Sequence, residues 1–313
     1  MSSLTIRLFG KFSAELDGQR LAGIYGGKLQ ELFCYLLLNR TRPQSREVLA
    51  GLLWGDSPTA QSKKYLRQAL WQLQTALGLS ERKRSTGLLV VDADWVNVSS
   101  EAEYWFDVHE FERIFGAAQG TRGQHFDPDT AARVAKAVDL YRGELLEGCY
   151  DDWCLVERER LQNMYLMMLD KLMAYSESAE HYESGIDYGA RILGCDRARE
   201  HTHRRLMRIY YLAGDRTSAL RQYDRCEAAL KEELGVKPAR KTSRLFEQIR
   251  SDRLEIDPLS VPEEVQTTPI SQICEALGRL RQVKTALVGF HRQIKHDIQA
   301  LEVLVKGKRD GDL

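Results

Sequence analysis

The clearest alternation of apolar and polar positions lies between Pro58 and Gly78. Leu66, Leu70, Leu73 and Leu77 fall at i, i+4, i+7 and i+11, so they share one face of an amphipathic helix. The opposite face carries Gln61, Lys64, Arg67, Gln68, Trp71 and Thr75, with almost no acid. Before it, Leu4, Ile6, Leu8 and Phe12 predict strand pairing, with Leu16-Asp17-Gly18-Gln19 as a hairpin turn. Gly27 to Asn39 predicts a helix with Leu29, Leu32, Phe33, Leu36 and Leu37 on its core face, stopped by Asn39-Arg40-Thr41-Arg42-Pro43. Ser45 is placed to cap a second helix, with Val48, Leu49, Leu52 and Leu53 as its core and Trp54-Gly55-Asp56 as its end. Leu88 to Val91 and Val96 to Val98 predict a hairpin turning through Asp92-Ala93-Asp94-Trp95.

The order of strands, three helices and a hairpin is that of a winged helix-turn-helix. Its third helix is cationic and rich in hydrogen-bonding groups, and Arg82-Lys83-Arg84 follow it, as entry into a DNA major groove requires. From Asp107 onward the pattern becomes helix after helix. One helix fits 127–142, with Ala131, Val134, Ala135, Val138 and Tyr141 on one face. A second fits 153–178, with Leu161, Tyr165, Met168, Leu169 and Leu172 inside. Gly185, Tyr188, Ala190 and Ile192 then recur in kind about 34 residues later as Ala219, Gln222/Tyr223, Asp224 and Cys226, the tetratricopeptide period. In the second unit Leu206, Ile209 and Tyr210 precede a turn at Leu212-Ala213-Gly214-Asp215. Two units are too few for an isolated solenoid, so they are expected to pack on the helices before them.

Residues 251–269 hold Pro258, Pro262 and Pro269 with several acids and few core residues, and read as a linker. Beyond it, apolar residues at 270, 273, 277, 280, 287, 294, 298, 301 and 305 keep a 3-4 spacing broken by Lys284 and His291. That spacing predicts a coiled-coil helix over 270–306, with Ile273, Leu277, Leu280, Leu287, Ile294, Ile298 and Leu301 as a homodimer seam. The competing reading docks this helix on the repeats of its own chain. The expected fold class is therefore mostly α: a winged helix-turn-helix domain (α+β, residues 1–104), an all-α tetratricopeptide-like helical repeat domain (105–250), a linker (251–269) and a C-terminal coiled-coil helix.

A chain of 313 residues with 43% apolar residues can bury two or three cores. Its net charge is zero, which argues against a general polyanion binder, yet the charge is unevenly placed. Residues 1–100 hold thirteen Lys and Arg against eight Asp and Glu, and within 60–84 six basic residues meet only Glu81. No run of eighteen apolar residues exists and the N-terminus lacks a signal peptide's apolar block, so no membrane partner and a cytoplasmic location are expected. The six cysteines fit neither a redox CxxC pair nor a zinc knuckle, and most are expected to be reduced and buried.

Enzyme readings fail on chemistry. Gly27-Lys28 lacks the first glycine and the Ser/Thr of a Walker loop. His201-Thr202-His203 has no nearby ligand cluster at metal spacing, so core or surface histidines are the simpler reading. Asp151-Asp152 look like capping acids. No cofactor, no metal site and no catalytic residues are expected.

Several motifs carry a family resemblance. Gly27-Lys28-Leu29-Gln30-Glu31-Leu32-Phe33-Cys34-Tyr35-Leu36-Leu37-Leu38, Arg46 to Gly55 with its Leu-Trp-Gly end, and Leu66-Arg67-Gln68-Ala69-Leu70-Trp71-Gln72-Leu73 resemble the three winged-helix helices of the SARP/AfsR family. Tyr104-Trp105-Phe106-Asp107-Val108, Leu140 to Leu146, Trp153 with Glu157-Arg158-Glu159-Arg160-Leu161, and Glu233-Leu234-Gly235-Val236-Lys237-Pro238 resemble the bacterial transcriptional activator domain of those regulators. The resemblance covers about residues 4–250. It implies a sequence-specific transcriptional regulator, an activator that binds double-stranded promoter DNA through 58–78 and contacts RNA polymerase. Two departures stand out: Gln72 and Gln74 replace arginines common in such helices, and the Asp-Ala-Asp-Trp wing tip has no arginine for a minor groove.

The candidate DNA contacts are Gln61, Lys63, Lys64, Arg67, Gln68, Trp71, Thr75, Arg82, Lys83 and Arg84, with Arg42 and Arg46 as secondary phosphate contacts at the second helix's entry. Each has a structural alternative: Arg67 pairing with a neighbouring acid, Trp71 stacking on the wing, the charge run as a solvated face. The competing function is a helical-repeat scaffold for a protein ligand, with weak or no DNA binding.

Overall fold

The structure, a computed structural model, describes residues 4–77 and 87–254, which lie within one compact unit, Met1–Glu255. Arg82, Lys83, Arg84, the linker beyond 254 and the expected coiled coil with its seven seam residues lie outside the described residues.

The chain opens with β1 (Leu4–Arg7), β2 (Ser13–Leu16) and β3 (Gln19–Arg20). Leu4 and Ile6 are buried while Thr5 and Arg7 are half-buried, the period-two pattern of a strand with one core face. The β2–β3 turn falls on Leu16-Asp17-Gly18-Gln19 as read, with Asp17 at φ 52 and Gly18 at φ 78. Two successive left-handed residues match a two-residue hairpin to strand twist, which Asp-Gly supplies most cheaply. Leu8 and Phe12 lie beyond the paired strands but remain buried.

Three helices follow: α1 (Gly27–Leu38), then the short β4 (Gln44–Ser45), α2 (Arg46–Leu53) and α3 (Thr59–Ala76). The wing is β5 (Leu89–Val91) and β6 (Trp95–Val98), and β4 pairs with β6 to make a three-stranded sheet. A seventh strand, β7 (Tyr104–Phe106), runs parallel to β1 with Leu4 opposite Tyr104 and Ile6 opposite Phe106. The first sheet therefore has the order β3-β2-β1-β7. The division expected at 104/105 falls inside β7.

Asp107, the first residue of α4 (Asp107–Ala118), joins this sheet to the helices. Its carboxylate accepts from Leu8 N at 2.9 Å, Phe9 N at 3.0 Å and Val108 N at 2.8 Å. Burial raises the carboxyl to about 6, against the pull of those donors. A 3-10 turn at Gly123–His125 leads to α5 (Pro128–Leu140), which Asp127 caps by accepting from Thr130 N at 2.7 Å. Then come α6 (Asp152–Ser178), α7 (Tyr182–Cys195), α8 (Glu200–Leu212), α9 (Arg216–Glu233) and α10 (Arg240–Arg250).

The repeat reading agrees with the packing. Gly185 and Ala219, thirty-four positions apart, are both buried, as are Ile192 and Cys226. Gly189 lets α7 approach α8 closely: a Cβ there would stand 2.6 Å from Leu206 Cδ2. The repeats rest on the helices before them. Arg191 on α7 donates to Tyr165 Oη on α6 at 3.1 Å and to the Val138 carbonyl on α5 at 3.3 Å. One continuous core runs from Leu4 to Ile209, and Met207, Ala219, Leu245 and Ile249 form a smaller one.

Two local expectations are corrected. In α2 the buried residues are Leu49, Ala50 and Leu53, while Val48 and Leu52 are 42% and 39% exposed. The helix has only two turns, and its adjacent leucines leave the phase of the buried stripe open until the packing fixes it. Ser45 and Asp151 precede α2 and α6, but neither side chain makes a capping bond. At α2 a wing carbonyl takes that role, since Arg46 N donates to Asp94 O at 2.9 Å.

Candidate nucleic-acid interface

The leucine face predicted for residues 58–78 fixes how α3 sits. Leu66, Ala69, Leu70 and Leu73 are buried, and Leu77 just past the helix end is half-buried. Ser62, also buried, donates its hydroxyl to the Trp54 carbonyl at 2.8 Å and so ties the start of α3 to the end of α2. With that face committed to the core, the other must point outward.

It does. Gln61, Lys63, Lys64, Arg67, Gln68, Trp71 and Thr75 are all exposed. Gln61, Lys64, Gln68, Trp71 and Thr75 follow one another at intervals of three and four, a single stripe about 21 Å long at the helical rise. The helix diameter of about 10–12 Å suits the major groove, about 12 Å wide.

The stripe's side chains differ in how free they are. Among the described residues, Lys64, Arg67 and Gln68 have no hydrogen-bond or ion-pair partner. Gln61 donates to Tyr65 Oη at 2.5 Å, and the Thr75 hydroxyl donates back to the Trp71 carbonyl at 2.9 Å. Trp71 is 64% exposed, and among the described residues no aromatic ring stacks on it. Lys63 is drawn sideways to Glu47 on α2, 3.0 Å away.

Arg46 is occupied. Its guanidinium donates to the Asp92 carbonyl at 2.9 Å while its N–H donates to the Asp94 carbonyl, so one residue clamps both ends of the wing turn to α2. Arg42 is exposed. The wing's inner face buries Leu89, Val96 and Val98, and its outer face exposes Val90 and Trp95. The clamp is not visible in the sequence, because it joins positions 46 apart through backbone carbonyls.

Of the two histidines in His201-Thr202-His203, His203 is held inside the protein by its neighbours. His203 is buried, with Nε2 2.9 Å from the Arg197 carbonyl and Nδ1 2.8 Å from Gln222 Nε2. The amide must donate to Nδ1, which leaves the proton on Nε2 to face the carbonyl. Among the described residues no group of three or more His, Cys, Asp or Glu side chains could hold a metal ion. No described helix is long and apolar enough to cross a membrane.

Comparison with known proteins adds to this geometry. Residues 106–250 match the family described as "Bacterial transcriptional activator domain". The chain is 25% identical over 237 residues to "Regulatory protein AfsR" of Streptomyces coelicolor, across 75% of this chain. It spans only 23% of that relative's length. A solved structure of Mycobacterium tuberculosis EmbR in complex with a low affinity phosphopeptide superposes with a TM-score of 0.68. It covers 81% of this chain and 66% of the other, at 19% identity, which speaks for a shared fold. Together these bear out the resemblance to SARP-type bacterial transcriptional regulators.

Proposed function

We propose that this chain, whose residues 106–250 match the bacterial transcriptional activator domain, is a SARP-type regulator that binds promoter DNA sequence-specifically by laying α3 into a major groove. Lys64, Arg67, Gln68 and Trp71 face the base edges, and Lys63, Arg42 and the basic run Arg82-Lys83-Arg84 meet phosphates. Arg46 acts indirectly, by holding the wing. The observation that carries this reading is the exposed α3 stripe with its unpartnered Lys64, Arg67 and Gln68 among the described residues. Nothing in that part of the chain covers the one face whose chemistry suits bases.

In this reading residues 1–104 supply DNA binding and 105–250 support activation, in contact with RNA polymerase. Residues 251–269 link them to a self-associating segment at 270–306, and the protein works in the cytoplasm as a regulator, not as an enzyme. The helical-repeat scaffold is the competing function. A gel-shift titration of the full chain against salt separates the two. A DNA-binding regulator loses affinity steeply as salt rises, because each phosphate contact releases counterions. A scaffold gives no specific shift at any salt concentration.

A further inference from the structure

A cavity of about 380 Å3 lies between α1 and the segment leading into α6, lined by Cys34, Cys149, Glu31, Asp151 and Trp153 among others. Cys149 is half-buried there, with Sγ 3.7 Å from Asp151 Oδ2. Cys154, in the first turn of α6, is fully buried and its thiol faces the Leu145 carbonyl at 3.9 Å. The two residues meet at Arg158, whose guanidinium holds the Cys149 carbonyl at 3.0 Å and, also at 3.0 Å, the Leu145 carbonyl that Cys154 Sγ faces. Both cysteines are free.

The surrounding segment is a seam between the first sheet and the helices. Gly10 N donates to the Glu144 carbonyl at 2.8 Å, Leu146 N to the Leu8 carbonyl at 2.8 Å, and Glu147 N to the Gly10 carbonyl at 3.0 Å. Arg158 on α6 grips the same segment. Its guanidinium donates to the carbonyls of Leu145 at 3.0 Å, Leu146 at 3.1 Å and Cys149 at 3.0 Å. Leu146 sits in the left-handed region at φ 51, a conformation that a leucine keeps only while its neighbours hold it.

We propose that Cys149 and Cys154 are a peroxide-oxidisable thiol pair whose disulfide loosens this seam. Asp151 takes the Cys149 thiol proton, and the thiolate attacks hydrogen peroxide. An S–O bond forms, the O–O bond breaks, and hydroxide leaves as water on taking up that proton. Cys154 Sγ then attacks the sulfenic sulfur. The S–S bond forms, the S–O bond breaks, and the second water carries off the Cys154 proton. Two thiols are oxidised and one peroxide is reduced to two waters. Bringing the sulfurs to about 2.05 Å removes Cys154 from the Leu145 carbonyl and draws Cys149 away from Asp151 and from the Arg158 guanidinium.

Hydrogen peroxide treatment of the full chain, followed by alkylation, peptide mass spectrometry and hydrogen exchange, tests this. The expected product is a Cys149–Cys154 cross-link with a loss of about two mass units, reversed by dithiothreitol. With it, the amides of Gly10, Leu146 and Glu147 exchange faster, and Cys154→Ser leaves a Cys149 sulfenic acid that dimedone captures. A cross-link to Cys34 or any other cysteine, Cys149 oxidised only to sulfinic acid, or unchanged exchange at the three amides would overturn it.

Discussion

The Arg46 guanidinium donates to the Asp92 carbonyl at 2.9 Å, and through it the start of α2 holds the wing turn. An arginine at a helix entry reads from sequence as a phosphate contact, but here its hydrogen-bonding capacity is partly spent inside the protein. Arg46→Ala is expected to lower stability by about 1 kcal/mol, the net worth of such a bond, and to speed hydrogen exchange at the backbone amides of Asp92 and of position 46. The slope of DNA affinity against salt should stay unchanged. A slope reduced by about one, as for a lost phosphate contact, would return Arg46 to the interface.

Asp107 gives a pH dependence with a definite sign. Burial raises its carboxyl from 3.8 to about 6 in the folded chain. The folded state therefore holds this proton more tightly than the unfolded state. The resulting stability is fully present below the unfolded value and is lost as pH rises through the folded one. Urea unfolding of the native protein and of Asp107→Asn at pH 5 and pH 7.5 isolates the effect. The stability of the native protein relative to the variant should fall over that interval, by up to about 2 kcal/mol for a shift of this size. A difference independent of pH would show that Asp107 is not the titrating group.

Gly123 marks a close approach in the helical part. A Cβ there would stand 2.1 Å from the Lys171 carbonyl oxygen, and backbone has no rotamer by which to give way. Gly123→Ala should cost at least the upper end of the about 1–3 kcal/mol typical of overpacking, read as a lowered thermal midpoint. An unchanged midpoint would mean that the 3-10 turn shifts freely.

The sequence made the long periodic elements legible. The leucine spacing of α3, the Ala131-Val134-Val138 face of α5 and the interior of α6 are each set by many residues in one phase, so local pattern suffices. The Asp-Gly hairpin was legible because its backbone demands those residues. What escaped depends on partners far along the chain. β4 has two residues and β7 three, and each exists only through pairing with β6 or β1. The exposure of Val48 and Leu52 follows from the seating of α2, and the Asp107 carboxylate meets amides 98 and 99 positions away. At the candidate interface, sequence identified which side chains share a face. The structure added which are unpartnered among the described residues, namely Lys64, Arg67 and Gln68, and which are engaged, namely Lys63 and Arg46.

The most direct test replaces the free centre of the α3 stripe. DNA recovered by the full chain from a random library is titrated with the native protein and with Arg67→Ala, alone and combined with Lys64→Ala and Gln68→Ala. All three side chains are exposed, so thermal midpoints should match. Arg67→Ala is expected to cost about 1–3 kcal/mol of specific binding with relaxed base preference at one position, and the triple variant to retain only salt-sensitive, non-specific association. Full affinity and unaltered preference in the triple variant would contradict the claim that this face of α3 reads DNA.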